Sequence, residues 1–193
     1  MKEILAVTSL IVSVAAIVPY IKETLEGKVK PERISWLLWT LLGGTYFFSA
    51  VFSDGAKLFT FGELIGPVII LLLSIKYGVG GKSRFDKYSL AAALIAFILL
   101  FVLDGVLISL LLALIIDGIG ATLTIRKLLI DPASESRSFW ALAAIAATLA
   151  LLSLKTYNLE TILFPIYVII LSGFIVIKTN PSKQTNQKQV EEL

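Results

Sequence analysis

Hydrophobic residues fall in seven long runs, at about 4–20, 36–52, 58–75, 88–103, 106–123, 139–154 and 161–177, and short charge-bearing stretches separate them. Each run approaches the ~17 to 25 apolar residues a helix needs to cross a bilayer. Only helices and closed barrels satisfy their backbones in lipid, so runs of this length predict helices. A continuous helix from Tyr88 to Leu123 is too long for one crossing, and the Asp104-Gly105 step supplies the turn that divides it. The first run ends in Pro19-Tyr20 and a charged loop rather than a polar mature domain, so it reads as a span and not as a cleavable leader. The expected fold class is all-α integral membrane, with seven transmembrane helices in a single domain over residues 1–178 and a polar tail over 179–193. That tail is almost free of large apolar side chains and has too little to bury to fold alone.

Composition changes this picture only by exclusion. The chain is 57% hydrophobic with a mean hydropathy of +0.89, more apolar than one globular core can use. It contains neither cysteine nor histidine. Disulfides, thiol catalysis and imidazole metal ligation are therefore excluded, and no cluster of carboxylates suggests a catalytic or metal centre. No enzyme activity, cofactor or metal is expected. The net charge of +3 and pI near 9.1 would point to nucleic acid in a soluble protein. Here the basic residues sit between the spans, so the expected partner is the lipid bilayer and not a nucleic acid.

Charge sets the expected orientation. Fourteen of the seventeen Lys and Arg residues lie in the stretches 21–35, 76–87, 124–138 and from 178 onward, while Lys2, Lys57 and Lys155 lie on the other side. Under the positive-inside rule the amino terminus is outside and the carboxyl terminus cytoplasmic, in a multi-pass cell-membrane protein.

A shift of 104 residues sets residues 19–39 against 123–143 without a gap. Five of 21 positions are identical, and the informative ones are Arg33 with Arg137 and Trp36 with Trp140. Each half also carries a loop proline, Pro31 and Pro132, out of register in this alignment. Two directly joined three-helix units would face opposite ways, and one intervening helix makes them parallel. The predicted plan is 3+1+3: repeat one at about 4–77, a linker helix at about 86–103, and repeat two at about 106–178. Internal repeats of this kind are typical of secondary transporters, with the solute site where the repeats meet.

The plan, the outside amino terminus and the Pro19-Tyr20 step at the end of helix 1 resemble the SWEET and PQ-loop transporter superfamily over about residues 4–178. The first loop, with Gly27, Pro31 and Trp36, is similar to a bacterial branch with a Gly-x-x-x-Pro-x-x-x-x-Trp pattern. The resemblance implies alternating-access movement of a small polar or cationic solute through a cavity walled by helices 1, 2, 5 and 6. The alternative is a non-transporting binding or regulatory protein built on the same bundle.

Asp117 is the sharpest candidate for chemistry. It lies midway along helix 5, where an unpaired charge costs about 2.5 to 3.5 kcal/mol, so it must face protein or water. Ser109, Ala113, Asp117, Ala121 and Thr124 share one helical face, and the 104 shift matches them to Leu5, Ser9, Ser13, Ile17 and Tyr20. These small or polar stripes suit either a shared cavity, with Asp117 as a proton or cation site, or close helix packing with Asp117 as interhelical glue. Glu63, inside the outer end of helix 3, either snorkels to water or joins Asp117 in an acidic pathway. Pro19, Pro67 and Pro165 are candidate hinges or ordinary kinks. Trp36 and Trp140 read first as headgroup anchors, and, if inward-facing, as stacking or gating groups. Gly62 and Gly66 suit close helix contact within the bundle or in a homo-oligomer.

Overall fold

The computed structural model describes residues 1–52 and 57–180, and the part of the predicted tail beyond residue 180 lies outside them. The described residues form seven helices, α1 (Lys2–Leu25), α2 (Arg33–Phe52), α3 (Lys57–Tyr77), α4 (Arg84–Val102), α5 (Val106–Ile130), α6 (Arg137–Ser153) and α7 (Leu159–Lys178). Four of them, α1, α4, α5 and α7, are long and apolar enough to cross a membrane. The protein is thus a helical bundle with the character of a membrane protein. Its surface agrees: Ile4, Val7, Ile11, Val14 and Val18 form an exposed apolar stripe on α1, while Ser9, Tyr20 and Thr24 on the same helix are buried. That inversion, oil outside and hydroxyls inside, is unfavourable in water and natural in lipid.

Local sequence accounts for the helix ends. Ser83 caps α4 in a capping box with Asp86, Asn158 caps α7 in one with Thr161, and Ser136 Oγ accepts the Phe139 amide at the start of α6. Glu32 does the same for α2, accepting the Ser35 amide at 2.6 Å. Gly105, at φ +121°, makes the α4–α5 turn in a conformation that disfavours any other residue.

Two helices run further than hydropathy predicts. Helix α1 continues through Pro19 to Leu25 instead of ending near residue 20, and α5 continues to Ile130 rather than residue 123. The extra turns carry charge on one side yet bury Thr24 and Leu128 on the other, so packing sustains them where hydropathy falls. Pro19 therefore sits inside a helix and does not close it.

Helix contacts follow the closed order α1–α3–α2–α5–α7–α6 and back to α1, with α4 outside the ring against α5 and α2. Exchanging α1, α2 and α3 for α5, α6 and α7 turns every contact of this ring into another contact of the ring. Loop contacts fix the helix directions. Lys30 N–H donates to Ser134 O (3.1 Å), Arg33 N–H to Val79 O (2.9 Å) and Asn180 N–H to Pro132 O (2.9 Å), which gathers three interhelical loops and the end of α7 at one pole. The Lys2 ammonium donates to Leu154 O at the other pole. Helices α1, α3, α5 and α7 thus run toward the pole rich in Lys and Arg, called here the basic end, and α2, α4 and α6 run away from it. Pro31 O accepts from Val79 N–H and Pro132 O from Asn180 N–H, each donor lying two residues past its helix. The two loop prolines, out of register at a shift of 104, occupy matching positions at a shift of 101.

A candidate solute cavity

A cavity of about 310 Å³ lies inside the ring, walled by all six of its helices. The walls include α3 and α7, which extends the expected set of helices 1, 2, 5 and 6. On α5, Asp117 reaches the cavity half-way along the helix, and its Oδ1 accepts the Tyr167 hydroxyl of α7 at 2.7 Å. The Trp39 indole N–H of α2 faces the same carboxylate. Gly120, one turn on, makes that approach feasible, because a Cβ there would stand 3.2 Å from Trp39 Nε1. Glu63 of α3 lines the same cavity near Asp117, with the Ser13 hydroxyl of α1 donating to its Oε1 at 3.5 Å. Gly43 lets α2 lie against the α3 backbone at this level, since a Cβ there would come within 2.7 Å of Glu63 O. Pro67, Pro165 and Ser172 also line it. The Ser172 hydroxyl is fully buried and has no hydrogen-bond partner.

Toward the basic end the cavity stops at an aromatic floor. Trp36 and Trp39 meet edge to face at 4.9 Å, Phe139 and Trp140 at 5.1 Å, Trp36 and Phe139 at 5.7 Å, and Trp39 and Trp140 at 5.9 Å. Such contacts are worth about 0.5 to 1.5 kcal/mol each beyond the area they bury. Trp36 and Trp140 are 2% and 5% exposed, which overturns their reading as headgroup anchors. Their indole N–H groups find partners inside the protein, Trp36 Nε1 on the Tyr20 hydroxyl at 3.1 Å and Trp140 Nε1 on Glu135 Oε2 at 2.9 Å, so nothing draws them to the interface.

Beneath the floor lies a buried ion pair. Lys127 at the end of α5 pairs with Glu135 of the following loop, whose side chain is fully buried, and Lys127 also donates to Lys30 O at 2.6 Å and Ser134 O at 3.2 Å. Beside it, Glu32 Oε2 accepts the Ser35 hydroxyl (2.8 Å), while Ser35 Oγ is bonded to Gly120 O (2.7 Å) and receives Thr124 Oγ1 (2.9 Å). Burial pushes the Glu32 carboxyl above the usual glutamate range, against the lowering effect of its two bonds from Ser35.

Of the residues singled out in the sequence, Asp117, Glu63, Ser13, Trp36, Trp140, Pro67 and Pro165 come together around the cavity. Ser9, Thr124, Tyr20 and Pro19 are not in its wall. Ser9 Oγ donates to Ala146 O at 2.8 Å and so ties α1 to α6, Thr124 ties α5 to α2, and Tyr20 supports the floor from below. Their shared face with Ser13 and Asp117 is real, but one helical face spans both the cavity level and the packed levels above and below it. Tyr167, Trp39, Ser172 and Glu135 were not expected at the site, and Trp39, like Trp36, was expected near the headgroups. A signal existed for one of them: a shift of 98 residues matches Pro67 with Pro165 and Ser74 with Ser172, the serine standing seven residues after the proline in both helices. Glu135 carries no pattern, because its role depends on a loop folding back over α5.

The fold and cavity define a helical bundle of membrane character with an acidic, aromatic-walled chamber. No family model matches this chain, and neither a curated protein nor a solved structure does.

Proposed function

We propose that the protein is a secondary transporter that moves a small polar or cationic solute by alternating access, with proton coupling through Asp117. The single observation that carries the reading is a six-helix ring that keeps its contacts when its halves are exchanged, around a chamber whose described wall holds two carboxylates. In this reading seven helices span the membrane, repeat one and repeat two are parallel, and the basic end is cytoplasmic by its excess of Lys and Arg. The fold and the solute path then resemble those of the SWEET and PQ-loop superfamily. The floor and the hydrogen-bonded loops below it close the chamber toward the cytoplasm. Opening that side separates Trp36 and Trp39 from Phe139 and Trp140, and Pro67 and Pro165, in the chamber wall on α3 and α7, are where those helices lack a backbone hydrogen bond and can bend.

Uptake into proteoliposomes of amines, amino acids and sugars, with and without an imposed proton gradient, tests the proposal. The expected result is gradient-dependent uptake of at least one solute class, abolished in Asp117→Asn while the variant keeps its helical content and elution volume. Uptake unchanged in Asp117→Asn removes this residue from the mechanism, and absence of uptake for every class removes the transporter reading.

A further inference from the structure

We infer that the chamber selects a small organic cation, an amine on an apolar body, against sugars and zwitterionic amino acids; this rests on the reading of the chamber as a solute site. The wall favours such a solute both by what it contains and by what it lacks. Among the described residues Asp117 and Glu63 are its two charged groups, and neither lysine nor arginine lines it. All three tryptophans of the chain do. Most of the remaining wall is alanine, leucine, valine and proline.

Each solute class meets this wall differently. A sugar buries many hydroxyls, and each one left without a partner is unfavourable in an apolar site. Beyond the two carboxylates, which can accept from a few of those hydroxyls, the described wall offers it little, since the Ser13 hydroxyl already serves Glu63 and Ser172 is a single unpartnered group. A zwitterionic amino acid brings a carboxylate into a chamber that already holds two, with no cation among the described wall residues to receive it. A protonated amine has the complementary chemistry. Its N–H groups make charge-assisted bonds to the carboxylates, its body lies on alanine and leucine, and the indole faces attract its positive charge. A lone metal ion is a poorer fit, because no third carboxylate joins the pair among the described residues. The unpartnered Ser172 hydroxyl is an additional group for the bound ammonium or its polar substituent.

The placement of the tryptophans supplies an assay that does not depend on transport. The full-length protein in nanodiscs is titrated with phenethylammonium, 2-phenylethanol, phenylalanine and glucose, and tryptophan emission is followed. Phenethylammonium should give a saturable change. The alcohol, which differs only in replacing the ammonium by a hydroxyl, should bind at least about tenfold more weakly, the loss of one charge-assisted contact. Phenylalanine and glucose should give no saturable change at the same concentrations. Asp117→Asn and Glu63→Gln should each weaken the amine by a similar factor and leave the alcohol unaffected; if either fails to fold, the ligand series on the unaltered protein decides alone. Equal affinity for amine and alcohol, tighter binding of phenylalanine or glucose, or no saturable response to the amine overturns the inference. Cation-selective binding without uptake in vesicles would leave this inference standing and remove transport, and uptake of glucose without amine binding would do the reverse.

Discussion

Glu135→Gln is the most telling perturbation of the closed basic end. The substitution keeps an oxygen for Trp140 Nε1 and replaces the charged oxygen opposite Lys127, a side chain 10% exposed, by an uncharged amide N–H2 that cannot accept from it. Breaking a buried ion pair by neutralising one partner costs about 3 to 5 kcal/mol, because the remaining charge stays desolvated. Lys127 keeps the carbonyls of Lys30 and Ser134, which places the expected loss at the lower end, about 3 kcal/mol. The double variant Lys127→Met/Glu135→Gln removes the stranded ammonium. It forfeits two bonds to carbonyls at about 0.5 to 1.5 kcal/mol each. One of those, Ser134 O, is still served by Lys30 N–H, so the double variant should recover about half of the loss of the single variant. Reversible unfolding in mixed detergent micelles, followed by tryptophan fluorescence and circular dichroism, measures both. A single variant that loses less than about 1 kcal/mol, or a double variant less stable than the single, would refute the assignment of this pair as a desolvated clamp between the loops.

Two further outcomes follow from particular contacts. Gly43→Ala sets a methyl 2.7 Å from the Glu63 carbonyl, so α2 must move off α3 and stability should fall by about 1 to 3 kcal/mol, measured by the same unfolding assay. The Glu32 carboxyl binds its proton more tightly in the folded protein than in the unfolded chain, because burial penalises its charge. Its contribution to stability therefore falls as pH rises from the ordinary glutamate value through the raised one, and Glu32→Gln should flatten that part of the stability profile; identical slopes in the two proteins would show that the site does not titrate in this window. Asp86 and Lys127, which face Glu32 from α4 and α5, and the neighbouring Arg33 should be left unaltered in that comparison.

Much of the architecture was legible along the chain because lipid imposes simple rules. Apolar runs long enough to span, a turn at Asp104-Gly105 and a one-sided distribution of Lys and Arg are one-dimensional signals. Seven helices with nearly those bounds are what such signals specify. Asp117 stood out for the same reason, since a carboxylate inside an apolar run must be accommodated somewhere. The helix ends were less legible. The last turns of α1 and α5 look polar by composition and stay helical because Thr24 and Leu128 have neighbours from other helices.

What the sequence determined by itself was the set of helices and the presence of acid in the apolar runs. Tertiary structure alone decided which of the polar residues meet. Ser9, Ser13 and Tyr20 share a face of α1, yet only Ser13 lies at the level of the cavity. Trp36 and Trp140 could have anchored the protein in the headgroups, and instead turn inward because Tyr20 and Glu135 offer their indole N–H groups partners there. Tyr167 reaches Asp117 only because α7 closes the ring beside α5. Periodicity tells a residue which side of its own helix it occupies. The identity of the helix opposite, and the height at which the two meet, are set by how the whole ring packs.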